Sequence, residues 1–488
     1  MMISNPSSSS SWTWLLSVFL FILVLISSIF STSTVEALVP KSKTFKYVND
    51  GPDTFSALEY GGPCRPLNIY NLPFQLFFYT TVMNGKIGFI LGLAMVTSRG
   101  KDQNDPYRWV WAANAGNPVF ENAFLTFGGN GNLVLAHANG RVAWQTGTAN
   151  KGVVDLKLLP NGNLVLVDKR GRFVWQSFDH PTDTLLVGQS LVSGGKLLSR
   201  ASTISDDTRG HYSMVLEKNR LAFYDNTPPP NKPLLYYEIS LMGANNADLV
   251  KNKVMNVTFE HVSAAGTKEP LPHSDLLRLE FFNNVGVWGS AYLAQQKYNS
   301  SLSFLRLGWD GNLQVYTLYD INSYNGDFSA WEVTYTALTM DSYPSNLCNL
   351  PEKCGLFGIC ENNQCVACPT PKGLKPWSEN TCMPPSKLPS CNINSNGTNT
   401  AATKNATSTM ISYYKIEDVD HILSRYEEGQ GPMKIGECKK KCSKDCNCVA
   451  FFYRTDTSKC LLTTQLTTLI KADFAIPSTH LAYIKYQK

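Results

Sequence analysis

The sequence predicts a mainly β protein whose C-terminal third is held by disulfides and ends in an α+β module. Three observations predict it. Short β-branched and aromatic runs broken by Gly, Asn and Asp fill the first half, and no apolar pattern keeps a helical period there. A hairpin-sized unit occurs twice at a fixed offset. Twelve of the thirteen cysteines lie between Cys348 and Cys460, with Cys64 standing apart.

The N-terminus reads as a leader. Leu15 to Phe30 is apolar and uncharged, and the small-residue context Val35-Glu36-Ala37 suits cleavage after Ala37, so residues 1–37 are expected to be a signal peptide. An uncleaved anchor is the alternative, because the run has no preceding Lys or Arg and is longer than the usual signal core of about 7–15 residues. Removing the leader takes out Glu36 and no base, so the formal charge of +5 becomes +6. That bias is too weak to argue for a nucleic-acid partner, and no later segment could span a membrane.

Two β domains are expected next, at residues 44–195 and 200–340. In the first, Asn130-Gly-Asn-Leu-Val-Leu returns as Asn161-Gly-Asn-Leu-Val-Leu, and Gly140-Arg141…Trp144-Gln145 returns as Gly171-Arg172…Trp175-Gln176. The offset is 31 throughout, and ten of sixteen aligned positions are identical. Each unit reads as turn, strand, turn, strand. Leu133 and Leu135 share one apolar face that neighbouring sheets must cover, so several small sheets around a common centre are implied, with Trp111, Trp144 and Trp175 filling it. A diverged third copy, Leu305 to Tyr316 with Trp331 as its later tryptophan, belongs to the second domain.

Residues 345–385 hold Cys348, Cys354, Cys360, Cys365, Cys368 and Cys382 but too few apolar side chains for a core, so each cross-link should contribute about 2–4 kcal/mol. Cys391, Cys438, Cys442, Cys446, Cys448 and Cys460 fall in a last module, 391–488, where a short helix near Met433 to Lys441 accompanies the strand-like Cys448 to Tyr453. Cysteines this dense belong in an oxidising compartment. Asn-x-Ser/Thr sequons at Asn256, Asn299, Asn396 and Asn405 agree with export. Cys365-Val-Ala-Cys368 has a metal or redox spacing, yet with ten further cysteines nearby it reads as structural, and no metal or other cofactor is expected.

Four motifs carry a family resemblance: Trp109 to Val119, Trp175 to Leu186, Cys354-Gly-Leu-Phe-Gly-Ile-Cys360, and Cys438-Lys-Lys-Lys-Cys442-Ser-Lys-Asp-Cys446-Asn-Cys448. Over nearly the whole exported chain the sequence resembles the plant S-locus glycoprotein and bulb-type lectin architecture, and within it the epidermis-specific secreted glycoproteins. The resemblance implies tandem β-prism II domains, an EGF-like module and a PAN/apple module, without the membrane span and kinase of receptor relatives. It also implies pairs Cys348–Cys360, Cys354–Cys365, Cys368–Cys382, Cys438–Cys460 and Cys442–Cys448, leaving Cys391 with Cys446. Cys64 is then either a buried thiol or a bridge to a second chain.

Bulb-type lectins bind mannose through Gln-x-Asp-x-Asn-x-Val-x-Tyr, whose period of two puts amides and a carboxylate on one sheet face toward sugar hydroxyls. The first copy here keeps Asn130, Asn132 and Val134; the second keeps Asn161, Asn163 and Val165; the third keeps Asp310, Asn312 and Tyr316 with Gln314 where Val belongs. Turn building explains the first two copies, while sugar contact and structural vestige weigh equally for the third. No nucleophile elbow, zinc-protease or phosphate-loop motif is present, so no catalytic residues are expected. Three readings follow: a secreted cell-wall or apoplastic glycoprotein that recognises glycans or glycoproteins, a protein-binding module that dimerises through its EGF and PAN parts or Cys64, and a structural wall component without a ligand.

Overall fold

The computed structural model describes residues 39–487 apart from 53–58, 60–61, 84, 97–106, 202–208, 228–232, 241–253, 264–274, 285, 297–299, 319–330, 342–345, 378–381, 383–390, 394–398, 402–410 and 472–478. The leader, Asn299, Asn396 and Asn405 lie outside them. Asn256 opens the strand Asn256–Val262 and is half-buried.

The repeated Asn-Gly-Asn units form hairpin turns because each glycine takes a backbone that L side chains rarely adopt. Gly131, Gly162 and, in the third copy, Gly311 have φ of +78°, +84° and +83°. The strands that follow alternate. Leu133 and Leu135 are fully buried while Val134 is half-buried, and each buried leucine contributes about 2 kcal/mol.

Three antiparallel sheets build the first prism. One orders Cys64–Asn71, Phe74–Met83, Lys86–Met95 and Arg108–Ala112; the next orders Phe45–Val48, Phe124–Phe127, Leu133–Ala136 and Val142–Gln145; the third has Val153–Leu158, Leu164–Asp168 and Phe173–Gln176. Their apolar faces meet in a single core that includes Leu93, Leu133, Leu164 and Trp111. At one end the three tryptophans pack edge to face, with centroids 5.9 Å (Trp111–Trp144), 6.1 Å (Trp111–Trp175) and 5.8 Å (Trp144–Trp175) apart.

Short strands from residue 184 onward pair with strands further along the chain. Thr184–Leu186 pairs with Ser303–Leu307, Ser190–Val192 with Asn256–Val262, and Lys196–Arg200 with Arg209–Leu216. These three consecutive strands each start a different four-stranded sheet.

The cysteine-rich segment and the C-terminal module share a sheet. Ile359–Glu361 runs parallel to Leu469–Lys471 in a five-stranded sheet, which joins residues of the cysteine-rich segment to those of the C-terminal module. Disulfides close Cys348–Cys360, Cys354–Cys365, Cys368–Cys382, Cys438–Cys460 and Cys442–Cys448. Cys446 is also disulfide-bonded, while the side chain of Cys391 is outside the described residues. The helix Ile435–Lys444 buries Cys438 and Cys442 against the strand Ala450–Arg454.

Cys64 is fully buried in a cluster with Tyr79, Ile90 and Trp109. This position fits the buried-thiol alternative.

Candidate glycan-binding clefts

The three copies of the degenerate motif place their first three positions around the hairpin turn, and only the last two lie on the strand. In copy one, Gly131 N–H donates to Gly128 O at 2.9 Å and Asn130 Oδ1 accepts from Asn132 N at 3.1 Å. Copy two repeats this with Gly162 to Leu159 O at 3.0 Å and Asn161 Oδ1 with Asn163 N at 3.2 Å. Copy three has Gly311 to Gly308 O at 3.0 Å and Asp310 Oδ1 with Asn312 N at 2.9 Å. The first polar residue therefore closes a turn.

The second polar residue locks the next strand. Asn132 Oδ1 accepts from Thr148 N at 3.1 Å and Thr146 Oγ1 at 3.0 Å. Asn163 Oδ1 accepts from Ser177 Oγ and Phe178 N, both at 3.3 Å. Asn312 donates to Leu338 O at 2.9 Å and accepts from Leu338 N at 3.0 Å. All three are buried with internal partners, so these side chains hold the fold. Val165 is fully buried as well, and Val134 is half-buried. The even spacing that suggested one row of ligands instead records one turn used three times.

What remains of copy three faces a cleft of about 190 Å³, whose walls include Glu59, Arg108, Trp309, Asp310, Gln314 and Tyr316. Trp309 is 52% exposed. Tyr316 stacks on Phe304 at 5.0 Å and lies 5.0 Å beneath the Arg108 guanidinium. Burial pushes its hydroxyl pKa up, so it stays protonated and donates to Gln314 Oε1 at 2.9 Å. Gln314 Nε2 and Asp310 Oδ2 are then without hydrogen-bond partners among the described residues. The back wall is charged but neutralised: Glu59 meets Arg108 at 2.6 Å and also bonds Arg306, while Asp183 lies 3.3 Å from Arg200.

A larger cleft, about 480 Å³, opens where the tryptophan end of the first prism faces the second. Asp183 and Arg200 line both clefts. Its cations Lys196 and Arg200 share the strand Lys196–Arg200, and Arg209 pairs with Arg200 from the next strand. No sequence signal reveals them. Trp144, expected in the core, is half-buried and lines this cleft as well.

A D-mannose binding lectin model matches residues 108–205, and a PAN-like domain model matches residues 412–467. EP1-like glycoprotein 2 of Arabidopsis thaliana is 40% identical to the chain, over 96% of this chain and 100% of its own length. The chain belongs to the EP1-like family of secreted glycoproteins. Within that family, the epidermis-specific secreted glycoprotein EP1 of Daucus carota is 48% identical over 72% of this chain and 90% of its own. EP1-like glycoprotein 4 of Arabidopsis thaliana is 42% identical over 92% and 93%. The EP1-like chain thus combines a bulb-type lectin domain, a disulfide-rich segment and a PAN-like domain.

Proposed function

We propose that this EP1-like chain is an exported, non-catalytic glycoprotein that recognises neutral, mannose-type glycans through the cleft of the third repeat. One observation carries the reading. Trp309 presents a half-exposed indole beside an Asp310 carboxylate oxygen and a Gln314 amide nitrogen that have no hydrogen-bond partner among the described residues. The flat C–H face of a pyranose packs on such a ring, and adjacent hydroxyls pair with an acceptor and a donor. The cleft is small and open, which suits one terminal sugar held weakly and strengthened by multiplicity.

Titration of the purified, oxidised protein with mannose oligosaccharides, followed by saturation-transfer NMR, tests this. Binding that weakens about tenfold in Trp309→Ala with its unfolding temperature unchanged, and in Asp310→Ala after correction for the folded fraction, supports the proposal. Absence of binding in folded wild-type protein, or indifference to both substitutions, overturns it.

A further inference from the structure

We infer that the larger cleft between the two prisms is a second, separate site, built for a carboxylate-bearing saccharide such as a uronic-acid oligomer. Its volume of about 480 Å³ lies within the usual range for small-ligand sites, about 300–1,000 Å³. One wall is aromatic. Trp144 contributes a half-buried indole, and His180 stacks on Trp175 at 5.4 Å with 17° between the rings. Since His180 is itself exposed, this carries the aromatic surface out to the mouth.

Another part of the lining is cationic. Arg200 is held by Asp183 at 3.3 Å, but Lys196 and Arg209, both exposed, have no ion-pair partner among the described residues. Asp183, the acid lining this cleft, is shared between Arg200 and Arg306. Two cations without an ion-pair partner among the described residues, in one cleft with a ring platform, match a ligand with a flat apolar ring face and carboxylates on its rim. A guanidinium grips a carboxylate through two parallel N–H donors, which a neutral hexose does not call for. A bare phosphate or sulfate leaves the aromatic wall unused.

The probe is a galacturonate trimer, compared with its methyl ester of the same shape without charge and with a polyglutamate of the same charge without sugar rings. Isothermal titration of the full chain is expected to show binding of the acid trimer and at least about fivefold weaker binding of the ester. Arg209→Ala and Lys196→Ala should each weaken the acid about fivefold without altering circular dichroism. Raising salt from about 0.01 M to about 0.5 M should weaken it further. Equal binding of the ester, equal binding of polyglutamate, or affinity untouched by both variants overturns the inference, as does no binding of the trimer. The acidic probe and these two side chains lie outside the third-repeat cleft, so failure of neutral-glycan binding there is read separately.

Discussion

Arg200 Nε lies 3.3 Å from Asp183 Oδ2, and this pair is the wall that both clefts share. Asp183 is 3% exposed, and its second oxygen accepts from Thr184 Oγ1 at 2.9 Å. Arg306 approaches the same carboxylate at 3.8 Å while bonding Glu59 and the Trp109 carbonyl of the first prism. One buried acid therefore balances cations on which the contact between the prisms depends. Asp183→Asn keeps the shape and removes the charge, leaving two arginines undercompensated. The expected loss is about 3 kcal/mol in denaturant unfolding. An unchanged midpoint would mean that the prisms do not depend on this pair.

The repeat makes a sharper prediction about the asparagines. Asn163 Nδ2 donates to Gln176 Oε1 at 2.8 Å, and Asn132 does the same to Gln145 at 2.9 Å, 31 residues earlier. Asn163→Ala removes a side chain that satisfies Gln176, Ser177 and Phe178 at once, and should cost about 2 kcal/mol. Binding of any saccharide, corrected for the folded fraction, should not change. A variant that keeps its thermal midpoint but loses sugar binding would return Asn163 to the role of ligand.

The same pair explains how much could be read from the sequence. The offset of 31 relates Asn130, Asn132 and Gln145 to Asn161, Asn163 and Gln176, so a shared hairpin unit is visible in the letters themselves. Its alternating leucines give the buried face, and local chemistry suffices for both. Neither cleft is legible in this way. Arg108, Arg200 and Arg306 come from strands of three different sheets, and their approach depends on how consecutive short strands distribute among them. The even spacing of Asp310, Asn312 and Gln314 misleads for a physical reason: period two means one face only where the backbone is extended, and Gly308 to Asn312 is a turn. Trp309, out of phase with the motif and therefore passed over, is the side chain left in solvent.

In the C-terminal module a buried lysine substitutes for a helix cap. Lys485 is 3% exposed, and its ammonium donates to Cys442 O at 3.2 Å, Asp445 O at 3.1 Å and Cys448 O at 3.1 Å. Those carbonyls end the helix Ile435–Lys444 and the turn after it, where a positive charge is favourable. Lys485→Met fills the same volume and removes this donor from three carbonyls, of which Asp445 O keeps Cys448 N at 3.2 Å. Stability should fall by about 2–3 kcal/mol, and the Cys442–Cys448 bond should become easier to reduce, as measured by thiol trapping at increasing dithiothreitol. Equal protection in both proteins would show that the disulfide alone holds this turn.

His421 supplies the pH dependence. It is fully buried, stacks on Phe452 at 5.5 Å, accepts from Leu423 N on Nδ1 at 3.3 Å and donates from Nε2 to Thr467 Oγ1 at 2.9 Å. Protonating Nδ1 would break the first of these bonds in a fully buried site, and burial lowers the pKa to about 4 from 6.5. The unfolded chain therefore binds a proton as pH falls below about 6.5, while the folded chain does not until about 4. Stability from this group is complete above the higher value and declines through that window, by about 3 kcal/mol in all. Asp420, held below the usual carboxylate range despite burial by His480, Ser424 and the His421 backbone, adds a loss of the same sign at still lower pH. Urea midpoints measured from pH 7.5 to pH 4.5 should fall steadily in wild type. In His421→Phe, which keeps the ring stack, they should fall much less. Parallel curves for the two proteins would place the acid sensitivity elsewhere.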